Sequence, residues 1–314
     1  MHTTDPASES TPAAATPPPV TARETADSTR YWINGRLRPE QEATVPVTDH
    51  GLLYGDGVFE GIRFYGRRPF RLDAHLRRLA DSCRAIRLTL PYTLDRLARA
   101  VAEIVDAFPA DDGYLRLLVT RGAGPLGIDP SGCLRPNVIL IAARLQMVDE
   151  AHRREGIRLV VAATRRLPGD ALDPRIKSLN YLNQILARME ADHAGAQEAV
   201  LLNGQGRVAE ASAENLFIVR DGTLLTPRTA DGALEGITRG LVLELAARLG
   251  IPAREAPLTP YDLHTADECF LSGTGAGLIP VREVDGRPLH HCPGPLYSRL
   301  EAAFQEQVRR ECGA

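Results

Sequence analysis

The chain has 314 residues and carries 37 basic against 40 acidic side chains, a formal net charge of −3. This near-balance provides no electrostatic attraction toward nucleic acid or an anionic membrane, and no segment approaches the roughly 20 apolar residues that span a bilayer. With 44% hydrophobic and 25% charged residues, the composition is that of a globular protein, which we expect in the cytoplasm.

The first predicted segment is an N-terminal tail, residues 1–29. It is rich in threonine, alanine, proline and serine and contains no aromatic residue. Such a composition buries too little apolar surface to offset the entropy lost when a chain becomes ordered. We therefore predict that the tail is disordered.

Residues 30–145 are predicted to form a small α+β domain. Apolar residues recur at helical spacing over residues 74–88 and 94–108. Strands are predicted at residues 114–121 and 137–143, and a hairpin is predicted to join residues 62–65 to residues 70–72.

Residues 146–156 are polar and are predicted to be an interdomain loop, which leaves residues 157–314 as a larger second domain. One helix is predicted after residue 177 and another from residue 236 to about residue 249. The remaining segments have the pattern of strands, at residues 158–163, 198–202, 207–211, 215–220 and 267–271. The expected fold class is therefore α/β, of the α+β type, with two domains.

The basic side chains are distributed very unequally between the two residue types. Lys177 is the only lysine, and all the other basic residues are arginines. A guanidinium group stays protonated, whereas an ammonium group can lose its proton and attack a carbonyl carbon. Lys177 is therefore a candidate for a lysine that forms a Schiff base. The alternative is that it survived a coding bias toward arginine by chance.

Two glycine-containing segments have the composition of anion-binding loops. Gly236, Ile237 and Thr238 open a predicted helix, where free N–H groups, a hydroxyl and the helix dipole attract a phosphate. The loop at residues 272–277 offers the same groups around Thr274. Glycine and threonine at a helix start are more often simple caps. Together with a single lysine, however, the two loops indicate a cofactor with both an aldehyde and a phosphate, which is pyridoxal 5'-phosphate (PLP).

PLP requires an acidic group beside its pyridine nitrogen, because a carboxylate favours the protonated, electron-withdrawing ring. Glu210 is the candidate, since it lies on a short predicted strand among small apolar residues. The alternation of strand faces by itself favours a solvent-facing glutamate. This assignment therefore depends on the lysine and the two loops.

Metal binding is not expected from the cysteines and histidines. The five cysteines are odd in number and scattered without paired spacing, which predicts free thiols. The eight histidines also lack a ligand pattern. His290 and His291, for example, are adjacent and on a strand would point to opposite faces.

Seven ordered segments carry a resemblance to a known family. They are residues 49–65 (DHGLLYGDGVFEGIRFY), 70–79 (FRLDAHLRRL), 113–122 (GYLRLLVTRG), 177–182 (KSLNYL), 208–217 (VAEASAENLF), 234–239 (LEGITR) and 270–281 (FLSGTGAGLIPV). In these segments the chain resembles the PLP enzymes of fold type IV, and among them the branched-chain amino acid aminotransferases. That fold implies a smaller N-terminal α+β domain and a larger C-terminal pseudo-barrel domain that binds PLP.

The resemblance also implies roles for individual residues. Lys177 matches the Schiff-base lysine, Glu210 the partner of the pyridine nitrogen, and Tyr181 the residue that hydrogen-bonds the cofactor's phenolic oxygen. The phosphate would be bound by Arg78, Ile237, Thr238 and Thr274. The substrate pocket would be built by Tyr54, Phe59, Gly61, Arg63, Tyr114, Arg116, Gly275 and Ala276. Without the resemblance, Arg78 would be interpreted as an ordinary exposed helix arginine.

The implied reaction is transamination in two half-reactions at one site. An L-amino acid with a branched or other apolar side chain would give up its amino group through the Lys177 Schiff base, and a 2-oxo acid such as 2-oxoglutarate would accept it. The expected partners are these small molecules and a second copy of the chain, because the family implies a homodimer or a multiple of one with the pocket near the subunit interface. No nucleic acid, membrane or metal is expected.

Two features leave the substrate open. The family's usual loop of threonine, alanine, alanine and glutamate is replaced here by Thr274, Gly275, Ala276 and Gly277, which removes a carboxylate and predicts a more flexible loop. The KSLN spacing also occurs in D-amino acid aminotransferases, whereas residues 59–63 (FEGIR) favour the L-selective branch. The alternatives are a D-amino acid aminotransferase, an aminodeoxychorismate lyase, a secondary-metabolite tailoring transaminase and a cofactor-binding protein without activity.

Overall fold

The computed structural model describes residues 29–313, which form two β-sheets surrounded by helices. The predicted disordered tail, residues 1–29, lies outside the described residues except for Thr29. In the described part of the chain, none of the helices combines the length and the apolar character needed to cross a bilayer. The five cysteines carry free thiols.

The first sheet is antiparallel throughout. Its strands are β1 (Arg30–Ile33), β2 (Arg36–Arg38), β3 (Gly57–Tyr65), β4 (Arg68–Pro69), β5 (Gly113–Thr120) and β6 (Asn137–Ala143), in the spatial order β2-β1-β6-β5-β3-β4. The strands β3 and β5 pair over eight residues, from Gly57 opposite Thr120 to Phe64 opposite Gly113. One face of this pair packs against helices, and the other borders the candidate site.

Three helices accompany the first sheet: α1 (His50–Tyr54), α2 (Leu72–Ala85) and α3 (Leu94–Asp106). The helix α3 begins after Thr93, whose hydroxyl accepts a hydrogen bond from the Arg96 amide, a common N-cap. Its apolar side chains recur at helical spacing and are buried against the sheet, namely Leu97, Ala100, Val101, Ile104 and Val105. Both helices predicted in this part of the chain are present; α3 begins at the predicted residue, and the other three ends are shifted by two or three residues.

The strand predicted at residues 70–72 does not form. Gly66 and Arg67 both have positive φ angles, which close a two-residue hairpin turn directly after β3. The returning strand β4 therefore pairs earlier than predicted, and the chain has already entered α2 at Leu72. The pattern located the hairpin correctly and placed its second strand too late.

The second sheet mixes parallel and antiparallel strands. They are β7 (Ile157–Arg165), β8 (Glu198–Leu202), β9 (Val208–Ala211), β10 (Asn215–Arg220), β11 (Thr223–Thr226), β12 (Ala253–Glu255), β13 (Glu268–Gly273), β14 (Gly277–Val284) and β15 (Arg287–Pro288). The order is β12-β11-β10-β13-β14-β7-β8-β9, with β15 on β14. The Ala211 amide donates to the Glu214 carbonyl, which returns β9 to β10. The six strands from β10 to β9 therefore curl into the pseudo-barrel that the resemblance implied.

Five helices belong to the second half: α4 (Glu150–Glu155), α5 (Leu182–His193), α6 (Ile237–Arg248), α7 (Pro260–His264) and α8 (Pro295–Cys312). The prediction of a loop at residues 146–156 is wrong in part, because this segment contains α4. Asp149 caps that helix by accepting a hydrogen bond from the His152 amide. The domain boundaries placed on either side of the segment stay predictions.

The helix α5 has the predicted periodicity, but its apolar side is exposed. Leu182, Ile185, Leu186 and Met189 each leave between 45% and 67% of their surface exposed. The buried side of the helix carries Gln184, Ala187 and Ala191 instead. Contiguous exposed apolar side chains of this kind are typical of a surface that contacts another protein.

The two sheets meet at Lys177. The Phe59 amide donates to the Lys177 carbonyl at 2.9 Å, and the Leu179 amide donates to the Gly57 carbonyl at 3.0 Å. These bonds add residues 177–179 to the edge of β3, although they belong to the second half of the chain. The lysine backbone is thus held against the first sheet, at the opening between the two halves.

Candidate active site

A cavity of about 290 Å³ lies between the two sheets, near the lower end of the volumes typical of small-molecule sites. The first half contributes β3, β5 and α2 to its wall, and the second half contributes β9, the start of α6 and the turn after β13. Of the predicted site residues, all but Tyr54, Arg63 and Ala276 line the cavity. The sequence therefore located most of one continuous wall.

Lys177 reaches this cavity just before α5. Its Nζ atom donates to the Tyr181 hydroxyl at 3.1 Å and lies 4.7 Å from the centroid of the Phe59 ring. The Lys177 amide also lies 3.3 Å from the Ser82 hydroxyl. The lysine is therefore fixed at both ends: hydrogen bonds hold its backbone, and the Tyr181 hydroxyl and the Phe59 ring hold its amine.

Glu210 lies on β9 and only 7% of its surface is exposed, so the solvent-facing alternative is wrong. Burial raises the pKa of this carboxyl above its usual range, while the Arg166 charge and the Leu234 amide lower it. Arg166 Nη2 lies 3.0 Å from Glu210 Oε1, and the Leu234 amide donates to Oε2 at 2.8 Å. These partners stabilise the carboxylate in an otherwise apolar strand.

The start of α6 has the geometry of a phosphate site. Its N-cap Gly236 has no side-chain capping bond, so the first N–H groups and the positive end of the helix dipole face the cavity with Ile237 and Thr238. Across the cavity, the Ser272 hydroxyl is buried without a hydrogen-bond partner among the described residues. A buried polar atom and a helix N-terminus that both lack partners in the part of the chain that the structure describes fit an anionic group, as PLP carries.

The glycine-rich segment is shorter than the predicted loop at residues 272–277. The strand β13 continues to Gly273, which pairs with Gly277 at the start of β14, so only residues 274–276 remain as a turn. A Cβ atom on Gly275 would overlap the Met147 sulfur. Glycine at this position therefore allows Met147 to pack closely against the turn.

The floor of the cavity is formed by alternate residues of β3 and β5. Phe59 and Gly61 lie on the same face of β3, next to Tyr114 and Arg116 of β5. The Arg116 guanidinium stacks 4.4 Å above the centroid of the Phe59 ring, a cation–π geometry. Burial raises the pKa of Tyr114, although the Arg116 charge opposes this shift. The floor thus combines apolar rings with one positive charge.

Arg78 is buried rather than exposed, since only 14% of its side chain is accessible. It lies on α2 and donates through Nη1 to the Glu235 carbonyl at 2.8 Å. This bond connects the first half of the chain to the turn that precedes α6. Reading Arg78 as an exposed helix arginine, which the helical pattern alone favours, is therefore wrong.

Three predicted residues lie outside the cavity of the single chain. Tyr54 is on the surface at the end of α1, and its hydroxyl accepts a hydrogen bond from the Gly127 amide. Arg63 donates to the Leu145 carbonyl at 3.0 Å and so supports a cavity-lining segment from behind. Ala276 is buried, and its carbonyl accepts a hydrogen bond from Arg153.

Several residues at this site are absent from the sequence-based predictions. Asn215 donates to the Leu234 carbonyl at 2.9 Å and lies 3.4 Å from Glu210; it belongs to the quoted VAEASAENLF segment and could have been singled out there. Leu145 and Met147 line the cavity from the segment between the two halves. Arg166 lies outside the wall and pairs with Glu210; it carries no local signal, because this partner is 44 residues away.

The comparisons with known proteins agree with this geometry. The family model of amino-transferase class IV matches residues 57–284. A putative branched-chain-amino-acid aminotransferase of Methanocaldococcus jannaschii is 43% identical over 90% of this chain and 98% of the relative. A D-alanine aminotransferase of Listeria monocytogenes is 34% identical over 90% of this chain and 98% of its own.

A solved structure carries the cofactor chemistry. The branched-chain amino acid aminotransferase of Thermobaculum terrenum, solved in its PLP-form, superimposes with a TM-score of 0.81 at 33% identity, covering 90% of this chain and 94% of that one. On this scaffold a lysine, a buried glutamate and an anion site fit a PLP enzyme of fold type IV. The chain belongs to the class IV aminotransferase family, and it is a PLP-dependent aminotransferase.

Proposed function

We propose that this enzyme transfers the amino group of an L-amino acid with a branched or other apolar side chain to a 2-oxo acid such as 2-oxoglutarate. The observation that carries the proposal is the position of the only lysine of the chain, whose amine lines the cavity 3.1 Å from the Tyr181 hydroxyl. The same cavity contains the buried Glu210 and the uncapped start of α6. An amine, an acid and an anion site are the three groups that PLP needs.

Each of these residues has a separate task in the proposed reaction. When bound, PLP supplies an aldehyde that condenses with amino groups and a ring that withdraws electrons from the α-carbon. The Lys177 amine takes the proton from the α-carbon of the amino acid and returns a proton to the cofactor carbon. The Tyr181 hydroxyl orients that amine. The Glu210 carboxylate favours a protonated ring nitrogen. Arg78, Ile237, Thr238 and Thr274 bind the phosphate.

The substrate proposal follows from the side chains of the cavity floor and from Leu145 and Met147, which also line the cavity. Phe59, Leu145 and Met147 offer apolar contacts to a side chain, which fits a branched aliphatic group. Arg116, stacked on the Phe59 ring, is available for the second carboxylate of an acidic 2-oxo acid. Gly61, Tyr114 and Gly275 complete the proposed pocket. The names of the relatives, branched-chain aminotransferases above all, support this choice.

A D-amino acid aminotransferase is the second candidate. Its support is the KSLN segment at the lysine together with the similarity to the D-alanine aminotransferase. The substrates of the two candidates differ in the configuration of the α-carbon, so their side chain and carboxylate exchange places when the α-hydrogen faces Lys177. They are therefore separated by the enantiomer that the enzyme accepts.

The first experiment is the absorption spectrum of the holoenzyme before and after addition of L-leucine or D-alanine in separate cuvettes. Conversion of the visible band by L-leucine supports the proposal, and conversion by D-alanine alone supports the second candidate. Glutamate formed from leucine and 2-oxoglutarate identifies a transaminase, whereas pyruvate released from aminodeoxychorismate identifies a lyase.

Variants of the lysine test its role directly. We expect Lys177→Ala to abolish glutamate formation and Lys177→Arg not to restore it, because a guanidinium stays protonated at neutral pH and can neither form the Schiff base nor take the α-proton. Arg175→Ala is the matched control, since its side chain is 62% exposed and, within residues 29–313, pairs only with the nearby Asp173. Normal turnover in either Lys177 variant would contradict the assignment.

We also propose a homodimer, or a multiple of one, in the cytoplasm. Two exposed apolar surfaces support self-association: Leu52, Leu53 and Tyr54 on α1, and Leu182, Ile185, Leu186 and Met189 on α5. In such a dimer Tyr54 would meet the site of the second copy, which explains its place outside the cavity of one chain. Analytical ultracentrifugation should give at least twice the 34.2 kDa of the monomer.

A further inference from the structure

A buried glutamate lies directly behind the cavity floor. Glu60 follows Phe59 on β3 and therefore points to the opposite face, toward α2, where its surface is fully buried. Its Oε1 atom lies 2.7 Å from Arg78 Nε, and its Oε2 atom lies 2.8 Å from Arg78 Nη2. This is the two-pronged geometry that fixes the plane of a guanidinium group.

A third side chain completes the cluster. His75, one turn before Arg78 on α2, is 1% exposed, and its Nδ1 atom lies 2.7 Å from Glu60 Oε2. Burial lowers the pKa of His75, although Glu60 opposes this shift. A carboxylate only accepts hydrogen bonds, so Nδ1–H of His75 is the donor in this contact. Burial alone would raise the pKa of Glu60, but Arg78 and His75 outweigh it and lower the pKa to about 2.

The remaining N–H groups of Arg78 are the ones that can bind a ligand. A guanidinium has five N–H groups; one on Nε and one on Nη2 go to Glu60, and one on Nη1 goes to the Glu235 carbonyl. Two therefore stay available on the side chain, which lines the cavity beside Ile237 and Thr238. The Glu60 carboxylate, behind the guanidinium, sets the direction in which these two N–H groups point.

We propose that Glu60 and His75 are positioning residues that hold the Arg78 guanidinium in the orientation that binds the phosphate of the cofactor. The inference rests on the proposed phosphate-binding role of Arg78. A long, flexible arginine loses rotamer freedom when it binds an anion, and the buried fork imposes that loss during folding, before the ligand arrives. His75 in turn fixes the Glu60 carboxylate, and this carboxylate orients Arg78.

The opposite expectation follows if Arg78 acts by its charge alone. The negative charge of Glu60 would then weaken the binding of a phosphate, and its removal would strengthen it. Positioning predicts that phosphate binding becomes weaker when the fork is broken. The two explanations therefore differ in sign.

The test compares PLP with pyridoxal, which lacks the phosphate. The full-length protein is purified as the holoenzyme, its cofactor is released from Lys177 as the oxime with hydroxylamine and removed by dialysis, and the Kd of each compound is measured by absorbance titration. The ratio of the two Kd values isolates the phosphate contribution. We expect Glu60→Gln to lower the preference for PLP by at least about tenfold, because the charged, bidentate fork is lost.

Three further variants make the result specific. Glu60→Asp keeps the charge but is one methylene too short for the fork, so it should lose as much preference as Glu60→Gln. His75→Gln leaves the fork in place and should lose roughly two- to fivefold. Asp56→Asn is the matched control: Asp56 forms a similar fork with Arg121, with N···O distances of 2.8 and 2.9 Å, away from the cavity, and its loss should leave the ratio unchanged.

Each outcome decides between the explanations. An unchanged or increased preference for PLP in Glu60→Gln, or a wild-type ratio in Glu60→Asp, overturns the positioning role. If the wild-type protein does not prefer PLP over pyridoxal, this result contradicts both the proposed phosphate site and the positioning role. A wild-type protein that prefers PLP but forms no glutamate from leucine contradicts the proposed substrate and leaves the positioning role standing.

Discussion

The packing of the cavity floor can be tested at Gly61. A Cβ atom at this position would overlap the Tyr114 hydroxyl and would lie 2.8 Å from Cζ and 3.1 Å from Cε2 of the same ring. Ordinary carbon contacts begin near 3.4 Å, so in Gly61→Ala the ring must move by at least about 0.6 Å in a packed strand pair. Overpacking of this kind costs about 1–3 kcal/mol, and we expect that loss in the free energy of unfolding.

The same shift should also reduce catalysis. Tyr114 borders the proposed substrate pocket, and displacements approaching 1 Å in a site reduce rates by up to roughly a hundredfold. We expect kcat/KM for leucine to fall by about ten- to a hundredfold in Gly61→Ala. Urea denaturation followed by circular dichroism measures the first effect, and glutamate formation measures the second.

The control for this experiment is a glycine with free space around it. A Cβ atom on Gly240, in α6, would meet no atom of the described residues within 4 Å, and Gly240→Ala should stabilise the protein by about 0.5–1 kcal/mol. In a Tyr114→Ala background the clash is gone, so Gly61→Ala should there cost much less. A Gly61→Ala protein with unchanged stability and activity, or with the same loss in that background, would refute the argument.

Two further predictions concern buried carboxyl groups. Burial, together with the Glu198 charge, raises the pKa of Glu214 to about 8. The carboxyl ionises near pH 4.5 in the unfolded chain but only near pH 8 in the folded one. The free energy of unfolding should therefore fall as the pH rises between these two values. Glu214→Gln should flatten that fall, and an unchanged slope in pH-dependent denaturation would contradict the shift. Glu268 accepts hydrogen bonds from two backbone amides in the first turn of α8, at 2.9 and 2.8 Å, so Glu268→Ala should cost about 2–4 kcal/mol. The exposed Glu306→Ala on the same helix should cost less than about 0.5 kcal/mol, and equal losses in urea would argue against the cap.

Local pattern predicted the elements whose formation depends on neighbouring residues. The helix α3 has its N-cap and its apolar face within one short segment, and β6 occupies residues 137–143 as predicted. The start of α6 was recognised from Gly236 and Thr238 for the same reason. For the two helix starts, the residues that stabilise the element lie within a few positions of one another, whereas β6 was recognised from its apolar run although it pairs with the distant β1 and β5.

Local sequence patterns did not predict the contacts between distant parts of the chain. Strand alternation gave the wrong environment for Glu210, because a strand of the pseudo-barrel is covered on both faces and Arg166 arrives from another part of the chain. Helical periodicity correctly predicted α5, but not that its apolar side is exposed. The hairpin after β3 was misplaced because the turn is set by the positive φ angles at Gly66 and Arg67.

By itself, the sequence determined the chemistry of this protein. One lysine, two segments with the composition of anion-binding loops and the ordered motifs already indicate a PLP enzyme, because reactivity depends on residue type. Only the tertiary structure decided how those groups are held. The fork from Glu60 to Arg78 and the ladder between residues 177–179 and β3 join segments far apart in the chain, and such pairings form only when folding brings two surfaces together and excludes water from between them.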